Sequence, residues 1–128
     1  MRLIHPSPGE LLDRKTILLL KIEAGRQRQV DVAHFQEELE LIEAALADWL
    51  RRNTDADRRA YDESGKELAE VNRKLWHAED EVRKLPPSEK DRLAELAKRI
   101  PELNDRRCDL VQRVNRLFRV SQVEKLYK

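Results

Sequence analysis

Asn72, Trp76, Glu79 and Arg83 follow one another at steps of four, three and four in the segment NRKLWHAEDEVR. On a helix those steps keep side chains on one broad face, here an amide, an aromatic plate, a carboxylate and a guanidinium. Such a set could orient a polar ligand, wall it on one side, move a proton and clamp an anion. Glu79 is the candidate catalytic acid/base, Arg83 a charge clamp, Asn72 an orienting amide and Trp76 an apolar wall. The plainer alternative is a network that fixes helix register. Leu68, Leu75 and Val82 form a seam that puts Asn72 and Glu79 in core-facing positions between them, and buried polar groups there need partners. This register predicts that Glu79 is at least partly buried and contacts Arg83 or a donor from another helix. Asp80 points about 100° away from Glu79, so adjacency alone does not make a paired-carboxylate site.

A second polar series lies in NDRRCDLVQRVN, where Asn104, Cys108, Val111 and Asn115 recur at four, three and four. Asn104 and Asn115 facing inward would either order the bundle through hydrogen bonds to the neighbouring helix or, with Arg107, bind a carboxylate, sugar or phosphate. Cys108 reads as a small buried residue rather than a nucleophile, because no His stands at helical spacing to activate it. Near the amino terminus, Glu10, Asp13, Arg14 and Lys21 form a charged set, with Glu10 and Lys21 nearly eclipsed on a helix. Lys21 would be a second clamp converging with the polar layers. Otherwise Glu10 closes a helix cap and Lys21 snorkels.

Several other chemistries find no support. His5, His34 and His77 form no HExxH and no His/Cys pair, so no metal site and no cofactor are expected. ELAE, Glu67 to Glu70, is one weak fragment of the paired acidic motifs that a helical NTP pyrophosphatase or a di-metal bundle would need. The chain has no glycine-rich phosphate loop. Its 26 basic and 25 acidic residues leave a formal charge of +1, which argues against nucleic acid as a partner. The longest apolar run, Ile17 to Leu20, is far short of the roughly 20 residues of a transmembrane helix. One cysteine and no apolar leader suit a cytoplasmic protein.

These residues must be positioned by helices. A chain of 128 residues with 40% charged side chains, three glycines and five prolines reads as a single helical domain over residues 1–128. Ser7, Pro8 and Glu10 form a helix start of capping-box type, and the first helix is expected from Pro8 to Ala24, with Gly25 closing it. Asp31 caps a second helix over Val32 to Arg52. Its Phe35, Leu39, Ile42, Leu46 and Trp49 form a heptad seam that packs inside a bundle or pairs subunits. A third, long helix runs from Asp55 to Leu85 and stops at Pro86-Pro87, with Gly65 either admitting a neighbouring helix or weakening its turns. The fourth starts at a Ser88 cap and runs to Arg119, kinked or split at Pro101. The fold class is therefore all-α, a mostly antiparallel bundle of four main helices, the third and fourth long.

SPGELLDRKTILLLK (Ser7 to Lys21), NRKLWHAEDEVR (Asn72 to Arg83), NDRRCDLVQRVN (Asn104 to Asn115) and the terminal EKLY (Glu124 to Tyr127) together resemble a small bacterial family of all-helical proteins of unassigned activity. The resemblance covers nearly the whole chain. Family members are sometimes encoded beside, or joined to, glycosyltransferase-like or surface-polysaccharide genes. The resemblance implies a shared helical fold and directs attention to Glu10, Asp13, Thr16, Lys21, Asn72, Trp76, Glu79, Asp80, Arg83, Asn104, Asp105, Arg106, Asn115, Lys125 and Tyr127. Leu126 and Pro101 depart from its pattern.

Two functions are expected from these readings. The first is a non-catalytic helical interaction or accessory protein, self-associating or bound to a protein partner, in cell-surface glycan assembly. The second is an enzyme or binding protein for a small anionic or sugar-linked metabolite, held between helices by Glu10, Asp13, Lys21, Asn72, Trp76, Arg83, Asn104, Arg107 and Asn115 around Glu79.

Overall fold

A computed structural model of the chain describes residues 6–119. Four helices follow in order: α1 (Pro8–Gln27), α2 (Ala33–Arg52), α3 (Arg58–Lys84) and α4 (Lys90–Leu117). The described residues contain no strand. His5 and the tail residues Val123, Lys125, Leu126 and Tyr127 lie outside the described residues.

Local chemistry explains most of the boundaries. Extended Ser7 accepts the Glu10 amide at 3.2 Å on its Oγ, and Pro8 takes the first helical position, where its missing N–H costs nothing. α1 continues past Ala24 through Gly25, and the left-handed residue falls later, at Gln29. Asp31 Oδ1 accepts the Ala33 amide at 2.9 Å at the start of α2, although Val32 occupies the cap position. α3 starts at Arg58 rather than at Asp55, with Asp57 capping it through the Ala60 amide at 3.1 Å. Ser88 does not cap α4; Glu89 precedes its first residue without a side-chain bond. α4 passes through Pro101 as one helix, so the expected split does not occur. Pro101 and Ala97 are both exposed, and the carbonyl that loses its amide partner therefore sits where water can replace it.

Pairwise contacts give the sense of each helix. Gly9 meets Asn115 and Asp13 meets Arg107, so α1 and α4 are antiparallel. Leu12 lies against Gly65, Thr16 against Asn72 and Glu23 against Arg73, so α1 and α3 run the same way. Glu67 reaches Arg113 and Glu81 reaches Arg92, so α3 and α4 form an antiparallel hairpin. Lys21 over Phe35 and Gly25 against Val32 set α2 antiparallel to α1. α1 packs on all three other helices, whereas the α2 backbone approaches α1 alone.

Leu11, Leu12 and Leu18 of α1 meet Ile42 and Leu46 of α2, Tyr61, Leu68, Val71 and Leu75 of α3, and Leu110 and Val114 of α4 in one core. Trp49 and Tyr61 each present an edge to Phe118, whose ring closes the end of the core beside the start of α1. The α2 seam thus faces α1 and the core. It is not the surface of a subunit interface.

The buried residues of α3 are Tyr61, Ser64, Leu68, Val71, Asn72, Leu75 and Ala78. This is a helical stripe that drifts off the heptad line drawn through Leu68, Leu75 and Val82, as the difference between 3.6 and 3.5 residues per turn requires. Val82 is 38% exposed and Glu79 is exposed, which overturns the expectation that both face inward. The Glu23–Arg73 contact also places the last turns of α3 beyond the end of α1. There α3 meets only α4, and a two-helix contact buries a narrower face.

Candidate functional site

Asp13 lies on α1 among Leu11, Leu12 and Leu18 and is only 7% exposed. A carboxylate buried that far needs a charged partner and donors. Arg107 of α4 supplies both. Its Nε donates to Asp13 Oδ1 at 2.9 Å and to Oδ2 at 3.0 Å, and its Nη2 donates to Oδ2 at 2.6 Å. This is the planar, forked pairing that guanidinium and carboxylate geometry favours.

Asn72 of α3 completes the layer. Its Nδ2 donates to Asp13 Oδ1 at 2.8 Å and to Thr16 Oγ1 at 2.7 Å, while the Thr16 hydroxyl donates to the Asp13 carbonyl at 2.7 Å. One carboxylate therefore ties α1 to both long helices. The bonds to Asp13 hold the Arg107 guanidinium above its usual pKa. Desolvation opposes this, and the negative charges of Asp13 and Glu79 add to it. The Arg107 side chain is 34% exposed, so one edge of the layer is open to solvent.

A second tie lies two helical turns along α4 from Arg107. The Gly9 amide, on the first turn of α1 and without an intrahelical partner, donates to Asn115 Oδ1 at 2.8 Å. A β-carbon on Gly9 would overlap the Val111 carbonyl oxygen and stand 2.8 Å from Asn115 Oδ1. Here glycine is required by the close approach of α1 to α4, not by its φ.

Of the residues read as a site, Asp13, Asn72 and Arg107 come together, and Asn115 bonds to α1 rather than to α3. The others go elsewhere. Glu79 makes no ion pair or hydrogen bond among the described residues; it is exposed, and its charge reaches Arg107 only through space. Arg83 reaches back 3.5 Å to Asp80, not to Glu79, because both stand outside the contact stripe. The cluster of Arg83 and Lys84 lowers the Asp80 pKa, chiefly through the hydrogen bond from Lys84. Lys21 does not join the polar layer: its Nζ sits 5.6 Å from the Phe35 ring centroid, on the α2 side of α1. Trp76, Asn104 and Glu10 are half-buried on their helices. Cys108, expected to be buried, is exposed.

Reading by residue type missed the Asp13–Arg107 pair and the role of Gly9. The signal was present: Asp13 and Thr16 stand between Leu11-Leu12 and the apolar run Ile17 to Leu20 of α1. No cluster of three or more His, Cys, Asp or Glu able to hold a metal occurs among the described residues. None of their helices is long and apolar enough to cross a membrane.

Residues 62–126 match a protein family described as Protein of unknown function (DUF4254). The match covers half of the chain, including the Asn72 to Arg83 and Asn104 to Asn115 segments, and does not reach Asp13. No curated protein and no solved structure matches the chain.

Proposed function

The chain belongs to the DUF4254 family, whose description assigns no activity, and from the geometry we propose that it is a non-catalytic helical interaction protein. The polar groups that a ligand would need are largely engaged with one another. Asp13, Thr16, Asn72 and Arg107 bond one another in a common layer, and Asn115 is held by a backbone amide. Glu79 has no donor to orient it, and a general acid/base needs one.

The observation that carries the reading is on α2. The α2 backbone approaches α1 alone, and Leu41 is left 73% exposed on the outer side, with Leu19 (46%) also exposed on neighbouring α1. Exposed large apolar residues on a helix face with one neighbour are what an interaction surface requires. We place the protein in the cytoplasm, which the exposed free thiol of Cys108 suits. We place its role in cell-surface glycan assembly on the family resemblance. The test is Leu41→Asp, which touches no core residue. Association of the wild-type protein with itself or with a co-purifying partner should be lost in the variant. Equal behaviour of the two proteins would remove the interaction reading, and unchanged surface polysaccharide in a deletion strain would remove the glycan setting.

A second reading rests on the open edge of Arg107 with Glu79 nearby: a small anionic or sugar-linked metabolite bound there. A thermal-shift screen of sugar nucleotides and other anions should then find a stabilising ligand whose effect is lost in Glu79→Gln. No shift with any class removes it.

A further inference from the structure

The outer face of α2 has a charge order that selects its own occupant. At about 100° per residue, Glu37, Leu41, Ala44, Asp48 and Arg51 fall within about 80° of arc, on the side away from the buried Ile42 and Leu46. Glu40 and Ala47 border this strip, and all of these except half-buried Asp48 are exposed. Among the described residues Glu37 and Glu40 make no ion pair, while Arg51 leans only on Asp48 of its own helix. The strip is thus acidic at its amino-terminal end, apolar and small at its centre, and basic at its carboxy-terminal end.

We propose that α2 pairs with α2 of a second copy of this chain, antiparallel, about a two-fold axis beside Ala44. The inference rests on the interaction reading above and names its partner. In this arrangement Ala44 meets its own copy. Leu41 meets Ala47 three residues either side of the axis, and Glu37 meets Arg51 seven residues either side. A two-fold interface repeats each contact, so both ends of the strip gain a Glu37–Arg51 pair. Ala44 and Ala47 let the helices approach closely enough for Leu41 to be covered. Asp48 faces Glu40 of the second copy, a repulsion offset within its own helix by Arg52, which pairs with Asp48 at 2.9 Å. The parallel alternative sets Glu37 on Glu37 and Arg51 on Arg51, so the charge order rejects it. From Glu37 to Arg51 the strip is about 21 Å long, which gives an interface below the standard size for specific complexes, in the class of weak, reversible ones.

Sedimentation equilibrium of the wild-type protein should show a reversible monomer–dimer equilibrium. Glu37→Arg and Arg51→Glu should each weaken it about tenfold, because each turns two attractive pairs into repulsive ones. The double exchange should restore it. Ala44→Cys in a Cys108→Ser background should form a disulfide-linked dimer on mild oxidation, since only an axis at that residue brings the two thiols together. Circular dichroism of each variant checks folding, which these exposed positions should not disturb. A wild-type protein monomeric at several hundred micromolar overturns the proposal. So does a dimer indifferent to the charge exchanges and uncrosslinked at Ala44. If the monomer still binds a different protein through Leu41, the second-copy assignment falls while the interaction reading stands.

Discussion

Removing Arg107 should damage this fold more than removing the residue it is paired with, because the two charges differ in what water can reach. Arg107→Ala leaves the Asp13 carboxylate buried with only the Asn72 amide to satisfy it. Breaking a buried pair in this way costs about 3–5 kcal/mol. Asp13→Ala strands a guanidinium that is 34% exposed and can turn its fork toward solvent, so we expect a smaller loss, about 2–3 kcal/mol, part of it from the Asn72 amide losing its carboxylate acceptor. Arg107→Lys should recover little, since an ammonium cannot reproduce the two-pronged geometry. The pair Asp13→Leu with Arg107→Met should cost less than either alanine change, as apolar replacement relieves both desolvation terms together. Urea unfolding of the four variants gives these values directly. Losses below about 1 kcal/mol in both alanine variants, or additive effects in the double variant, would show that the layer does not hold the bundle together.

Gly9→Ala should cost about 1–3 kcal/mol, because the new methyl overlaps the Val111 carbonyl and pushes α1 off the Asn115 acceptor; a thermal midpoint equal to wild type would contradict the close approach. Ser64 Oγ is buried without a hydrogen-bond partner, so Ser64→Ala should be neutral or stabilising by up to about 1 kcal/mol, and a loss of stability in denaturant would show a partner. Arg92 holds the Glu81 carboxyl below its usual range, chiefly by hydrogen bonding. Its contribution is therefore intact above the ordinary glutamate value of about 4.3 and is lost as pH falls through the lowered value. Melting curves between neutral pH and pH 3 should fall less steeply for Arg92→Gln than for wild type. Exposed Cys108 should react with a thiol reagent in the folded protein without prior unfolding; slow, unfolding-limited reaction would refute its exposure.

The helices were legible because each carries its own punctuation: Ser7-Pro8 before α1, Pro86-Pro87 after α3, and apolar steps of three and four throughout. Asn72 was legible as a buried polar residue for the same reason, being surrounded by Leu68, Val71 and Leu75. Its partners were not. Periodicity gives the face of a helix but not the helix opposite it, so Arg83, four residues from Glu79, looked a better partner than Arg107, which is far away in sequence from Asp13. Extrapolating the α3 seam failed at Glu79 and Val82 because burial there is set by where α1 ends, and a one-helix pattern does not contain that information. Pro101 shows the reverse limit: a residue that commonly breaks helices is absorbed when its lost hydrogen bond falls on the solvent side.

Together, the buried layer and the outer strip divide the work of the polar residues in a way that bears on function. The inward charges, Asp13 and Arg107, are spent on joining α1 to α4, with Asn72 adding α3. α2 takes no part in that network and is held through its apolar seam on α1. A change on the outer surface of α2 therefore leaves the polar layer intact, and a change in the layer leaves the order Glu37, Leu41, Ala44, Arg51 untouched. That separation lets stability and association be measured independently. Asp13 and Arg107 variants should move the unfolding midpoint without altering the association constant of whatever fraction remains folded, and Glu37 and Arg51 variants should do the opposite. If Asp13→Ala weakened association as much as it weakened folding under conditions where the chain is still fully helical, the two surfaces would be coupled. The function would then have to be sought at the layer itself, along the open edge of Arg107.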